Sequence, residues 1–90
     1  MTMGFQGMDI AAVRGLASLL DNSASQIQEL MQRLTNELQN TSWMGPDREQ
    51  FCGNWQGQHC SQLNSVISGL QDAANVARNN ANEQESTSGR

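Results

Sequence analysis

Cys52, His59 and Cys60 are the residues of this 90-residue chain whose side chains could ligate a metal or take part in covalent chemistry. Their spacing argues against both. On a helix Cys52 and His59 are about 10 Å of rise apart, whereas zinc ligands converge on one ion at about 2.0–2.3 Å. Cys52 and Cys60 are about 12 Å apart along the same axis, and a disulfide needs Cα atoms within about 7 Å. Two free, partly buried thiols are expected, with an intermolecular disulfide as the alternative. Only an interface between two chains could bring these ligands to one ion. His59 falls on an apolar series, where a lone imidazole is expected to pack or to bond to a partner. No glycine-rich phosphate loop, nucleophile elbow or acid–base pair occurs. No catalytic residue, cofactor or metal is expected, and the chain does not read as an enzyme.

These residues sit on the second of two long helices that the apolar spacing predicts. Residues 1–8 hold two glycines and no periodicity, and read as a loose arm. Asp9 is a plausible N-cap. Ile10, Ala17, Ala24, Met31 and Leu38 form one seven-residue series, and Val13, Leu20, Ile27 and Leu34 form another. The spacing alternates three and four over four heptads, the pattern of an amphipathic helix that packs along its length. Leu16, Leu19 and Leu30 widen the stripe. Arg14, Ser18, Asp21, Ser25, Gln28, Gln32 and Gln39 read as the opposite, polar face. Helix 1 is expected over about 9–40, with a turn over 41–45.

Gly45 and Pro46 suit the cap and first position of a new helix, and Asp47 and Glu49 fall in its first turn, where the dipole favours anions. Helix 2 is expected over about 46–82. One apolar series is Cys52, His59, Val66 and Ala73; the other is Trp55 or Gln56, then Leu63, Leu70 and Ala77. Phe51, Cys60, Ile67, Ala74 and Ala81 flank them. Gly53, Gly57 and Ser61 share a face where a neighbouring helix could approach closely. The remaining residues, 83–90, are polar and read as a disordered tail.

Composition limits the partners. Five basic residues against nine acidic give a net charge of −4, without the clustered cations that nucleic acid binding needs. Direct lipid insertion is also disfavoured, because interfacial helices carry Lys and Arg on the polar face and here that face is Gln, Asn, Ser and acid. Membrane contact is left open. No apolar run reaches the ~18 residues of a membrane span, and no cationic, apolar leader is evident. A soluble chain is expected, either cytosolic or exported without a cleaved leader. Leu, Ile, Val and Phe total 16 residues, too few for a compact core. They suffice for two long stripes, each wide enough to touch more than one neighbour. An antiparallel two-helix hairpin would leave part of each stripe in water. Docking a second hairpin, to make a four-helix bundle, would cover it.

Trp43-Met44-Gly45 lies midway along the chain, at the turn between two heptad-patterned helices, with Phe51 and Trp55 on the helix that follows. Together these features resemble the WXG family, the ESAT-like small secreted proteins of Gram-positive bacteria and especially actinobacteria, some of them virulence-associated. The resemblance spans roughly residues 9–82. It implies a helical hairpin that pairs with another WXG-family hairpin as a four-helix bundle. It also implies leaderless export from the cytoplasm by the type VII (ESX) secretion machinery, to an extracellular location. Members act by binding and are not usually enzymes. Trp43 and Gly45 match the family's turn motif. One feature departs from the pattern. The family's export signal is Tyr-x-x-x-Asp/Glu after helix 2, and this chain has no Tyr: Asn79 precedes Glu83 by four residues and Ala81 precedes Glu85. The departure favours a heterodimer, whose other chain supplies the Tyr-containing tail, over a homodimer.

The expected dimer and packing surface is Ile10, Val13, Ala17, Leu20, Ile27, Leu34 and Leu38 on helix 1, with Phe51, Trp55, Leu63, Val66, Leu70 and Ala77 on helix 2. A cytosolic structural adaptor, with no secretion role, is the alternative function.

Overall fold

The computed structural model describes residues 7–88. Among them every regular element is helical: α1, Ile10–Asn40; α2, Pro46–Asn54; and α3, Cys60–Ser88, with a π-turn over Trp55–His59 joining the last two. Of the expected arm only Gly7 and Met8 are described, and neither is helical; positions 1–6 lie outside the described residues, as do 89–90.

Local chemistry sets the ends. Asp9 adopts an extended conformation and its carboxylate accepts the N–H of Ala12 at 3.0 Å, satisfying one of the donors a helix start leaves unpaired. At the far end Thr41 turns extended and its hydroxyl donates to the Glu37 carbonyl at 2.6 Å. Gly45 then takes φ +120°, a region that a side chain would strain, and Pro46 begins α2 where its missing N–H costs nothing. Asn54, Trp55 and Cys60 all keep right-handed helical angles, so α2, the π-turn and α3 form one continuous helix.

The two long helices lie antiparallel. Arg14 meets Asn82 and Glu85, Asp21 meets Arg78, and Thr35 meets Trp55. The result is a rod of 66 × 19 × 18 Å with a radius of gyration of 20.0 Å, against about 12 Å for a compact domain of this length. Its interior is small. Ala17, Ala24, Ala74 and Ala81 are 0% exposed and Ile67 is 4% exposed. Alanine at these four positions lets the backbones approach closely.

The second helix continues to Ser88, beyond the boundary near 82 that the sequence pattern gives, so residues 83–88 are helical where a disordered tail is expected. Contacts across the rod account for the extension. Ala81 is buried, Gln84 is half-buried on the same face, and Arg14 donates to Glu85 at 2.7 and 3.2 Å and to Asn82 at 2.9 Å. The hydrogen bonds and positive charge of Arg14 hold the Glu85 carboxyl below the usual glutamate range. A carboxylate depressed in the folded state stabilises above its ordinary value and loses that contribution as pH falls through the folded value. Acidification should therefore fray residues 82–88 first, seen as faster amide exchange there than at Ile67. Arg14→Gln should remove that pH dependence. Because the pair is solvent-exposed, salt should weaken it as well.

Candidate interaction surface

The seam between the helices is built from Ile10, Val13, Ala17, Leu20, Ala24, Ile27, Met31, Thr35 and Leu38 on α1, all buried or half-buried. Leu34 was expected there and stands 53% exposed. A straight α-helix drifts about 20° per heptad against a strict seven-residue repeat. Val13, Leu20 and Ile27 stay half-buried, and three heptads on from Val13, Leu34 has left the seam. Thr35 rotates in as its replacement.

On the second helix the inward residues are Cys60, Leu63, Ile67, Leu70, Ala74, Ala77, Ala81 and Gln84. The expected series His59, Val66 and Ala73 is therefore displaced by one residue, and all three of its members are exposed. The π-turn is the cause. Ahead of it the inward residues are Arg48, Cys52 and Trp55. An α-helix would step four residues from Trp55 to the next inward position; here the step is five, to Cys60, whose N–H bonds to the Trp55 carbonyl. One extra residue is thus absorbed within a single turn. The choice between Trp55 and Gln56 resolves to Trp55, whose indole N–H donates to Thr35 Oγ1 at 2.8 Å. Half-burying the Trp55 side chain contributes about 1 kcal/mol or more, and the new hydrogen bond about 1 kcal/mol. Together they outweigh the roughly 1 kcal/mol at stake in one displaced backbone bond.

The two sides of the rod differ. One residue of helix turns about 100°, so residues just before seam positions lie on one side of an antiparallel pair and residues just after them lie on the other. After them come Arg14, Asp21, Arg78, Asn82 and Glu85, which bond across the rod. Arg14 and Asp21 thus flank the seam and do not lie on the far, polar face. Before seam positions come Leu16, Leu19, Leu30 and Leu34 on α1 and Val66 on α3, all exposed. Among the described residues nothing covers these apolar side chains.

The apolar face ends at the turn. Trp43 packs on Phe51 with ring centroids 5.6 Å apart and planes at 57°, the tilted geometry aromatic pairs favour. Beside them is a cavity of about 290 Å³ lined by Leu34, Glu37, Leu38, Phe51 and Trp55. Met44 projects beyond it, 91% exposed. Phe51 and Val66, expected in the packing surface, lie on this open side and not between the helices.

The candidates for covalent and metal chemistry do not converge. Cys52 and Cys60 are free thiols, both half-buried. His59 is exposed, not packed in the seam, with its ring 6.4 Å from that of Trp55. Among the described residues no group of three His, Cys, Asp or Glu side chains could hold a metal ion, and no helix is long and apolar enough to cross a membrane. At Gly53 and Gly57 an added Cβ would meet nothing within 4 Å, so among the described residues no helix of this chain approaches closely at that face.

Fold and surface together define an all-helical protein with one side latched by polar bonds and one side apolar and open. No family model, curated protein or solved structure matches the chain.

Proposed function

We propose that this chain is an ESAT-like type VII secretion substrate, exported without a signal peptide, that acts by protein–protein binding as half of a four-helix bundle. The observation that carries the reading is the uncovered face of Leu16, Leu19, Leu30, Leu34 and Val66 beside a core of four alanines and one isoleucine. Soluble monomers rarely leave so many large apolar side chains exposed along one side, and a second helical hairpin of similar length has the shape to cover them. The Trp43-Met44-Gly45 turn supports the family assignment, with Gly45 at positive φ and Trp43 capping Phe51. The lack of Tyr favours a partner of different sequence, another WXG-family hairpin that brings the Tyr-containing export tail.

The double variant Leu30→Asp, Leu34→Asp tests the reading, because both positions are exposed in the single chain and central to the open face. Circular dichroism should show helix content kept. Sedimentation equilibrium with the hairpin encoded beside it should show the 1:1 complex reduced to separate chains. The wild-type pair should reach the culture filtrate and the variant should not. Unaltered assembly of the double variant would remove the open face as the interface. A stable homodimer of the chain alone would replace the heterodimer, and a wild-type chain retained in the cytosol would overturn the export role.

A further inference from the structure

The second helix can meet α1 in two registers. With the extra residue held at Trp55–His59, the seam carries Arg48, Cys52 and Trp55 ahead of Cys60 and Leu63. Without a π-turn, spacing of three and four counted back from Cys60 and Leu63 places Glu49, Gly53 and Gln56 there instead. Each residue of α2 then moves by one position, about 100° around the helix.

Nothing in the second register is sterically foreign to the rod. Gly53 adds no bulk to the seam, and Gln84 shows that a glutamine is accommodated half-buried at a seam position. Trp55 would move to the side of the helix on which Val76 stands 58% exposed. Cys52 would join the positions of His59, Val66 and Ala73, all exposed. The helix would lengthen by about 1.5 Å, the rise of one residue, and the Thr41–Gly45 connection lies directly upstream to take up the change. What holds the observed register is local: the burial of Trp55 and its hydrogen bond to Thr35.

We infer that the π-turn is a register switch at the tip of the rod, with Trp55 and Cys52 seated in the seam in one position and turned outward together in the other. The Cys60–Ser88 seam stays in place in both. The switch exposes an indole and a thiol at the apolar end of the open face without unfolding the rod, and it requires no assumption about export.

Thiol-alkylation kinetics test it, with Cys52 or Cys60 as the only cysteine (Cys60→Ser or Cys52→Ser). The exchange Trp55→Gln, Gln56→Trp puts the indole in the second register while leaving composition unchanged. In that chain Cys52 should alkylate roughly tenfold faster or more, as expected for a thiol released from partial burial, and Cys60 should be unaltered. The single variant Trp55→Gln, which removes the group holding the first register, should accelerate Cys52 in the same direction. With Trp43→Phe added, the exchanged chain should keep the blue-shifted emission of a buried indole. An unchanged Cys52 rate in both variants would overturn the switch, as would acceleration of Cys52 and Cys60 together, which reports general unfolding.

Discussion

Deletion of Gly57 should leave the chain folded and raise its melting temperature, whereas deletion of Gln71 should abolish the cooperative transition. Losing one residue from a helix usually rotates everything beyond it by about 100°. At the π-turn that rotation is already present, in the opposite sense. Without Gly57 the step from Trp55 to Cys60 becomes the four residues of an ordinary α-helix, and Cys52, Trp55, Cys60 and Leu63 stay in phase. Removing a helical glycine also gains about 1 kcal/mol, or about 4–8 °C in a domain of this size. Without Gln71 the inward positions of Ala74, Ala77, Ala81 and Gln84 pass to Asn75, Arg78, Asn82 and Glu85. An apolar seam would then receive two amides and two charges, at a cost of about 3 kcal/mol or more. Thermal melts followed at 222 nm distinguish the two deletions. Equal damage from both would show that the turn is not a one-residue phase correction.

Aspartate at Ala24 should unfold the rod, and aspartate at Leu19 should not. Ala24 is 0% exposed between the helices and Leu19 is 61% exposed. A carboxylate at position 24 would be buried between the helices without room for its own volume. The expected loss is ~3 kcal/mol or more, and helical circular dichroism should fall at 25 °C. At position 19 the same side chain meets water, and the change should stay within about 0.5 kcal/mol for the single chain. Chemical denaturation of the two variants beside the wild type gives both numbers directly. Similar losses at both positions would mean that the alanine seam is not the interior.

The helix boundaries near the turn were legible because they depend on single residues with local effects. Asp9 caps, Gly45 takes positive φ and Pro46 starts a helix whatever lies elsewhere in the chain. The inner face of α1 was legible for its first three heptads and then lost at Leu34, since a strict seven-residue count ignores the drift of a straight helix. On the second helix Leu63, Leu70 and Ala77 face inward as their spacing implies, but the His59, Val66 and Ala73 series is off by one residue, and the reason lies in the sequence itself. Val66 and Ala73 are as apolar as Ile67 and Ala74, so both registers read equally well after the turn. Only the ambiguity between Trp55 and Gln56 signalled a phase slip. The local pattern places Arg14 and Asp21 on the far face because their partners, Glu85 and Arg78, are 71 and 57 residues away. No local pattern contains that information.

The four buried alanines carry a consequence for how such a chain can evolve. At Ala17, Ala24, Ala74 and Ala81 the requirement is for smallness, which few residue types satisfy. On the open side Leu16, Leu30, Leu34 and Val66 stand about half exposed, and packing within the rod sets little requirement on their type. Substitutions can therefore accumulate among the outer leucines without altering the rod, while the inner seam admits almost none.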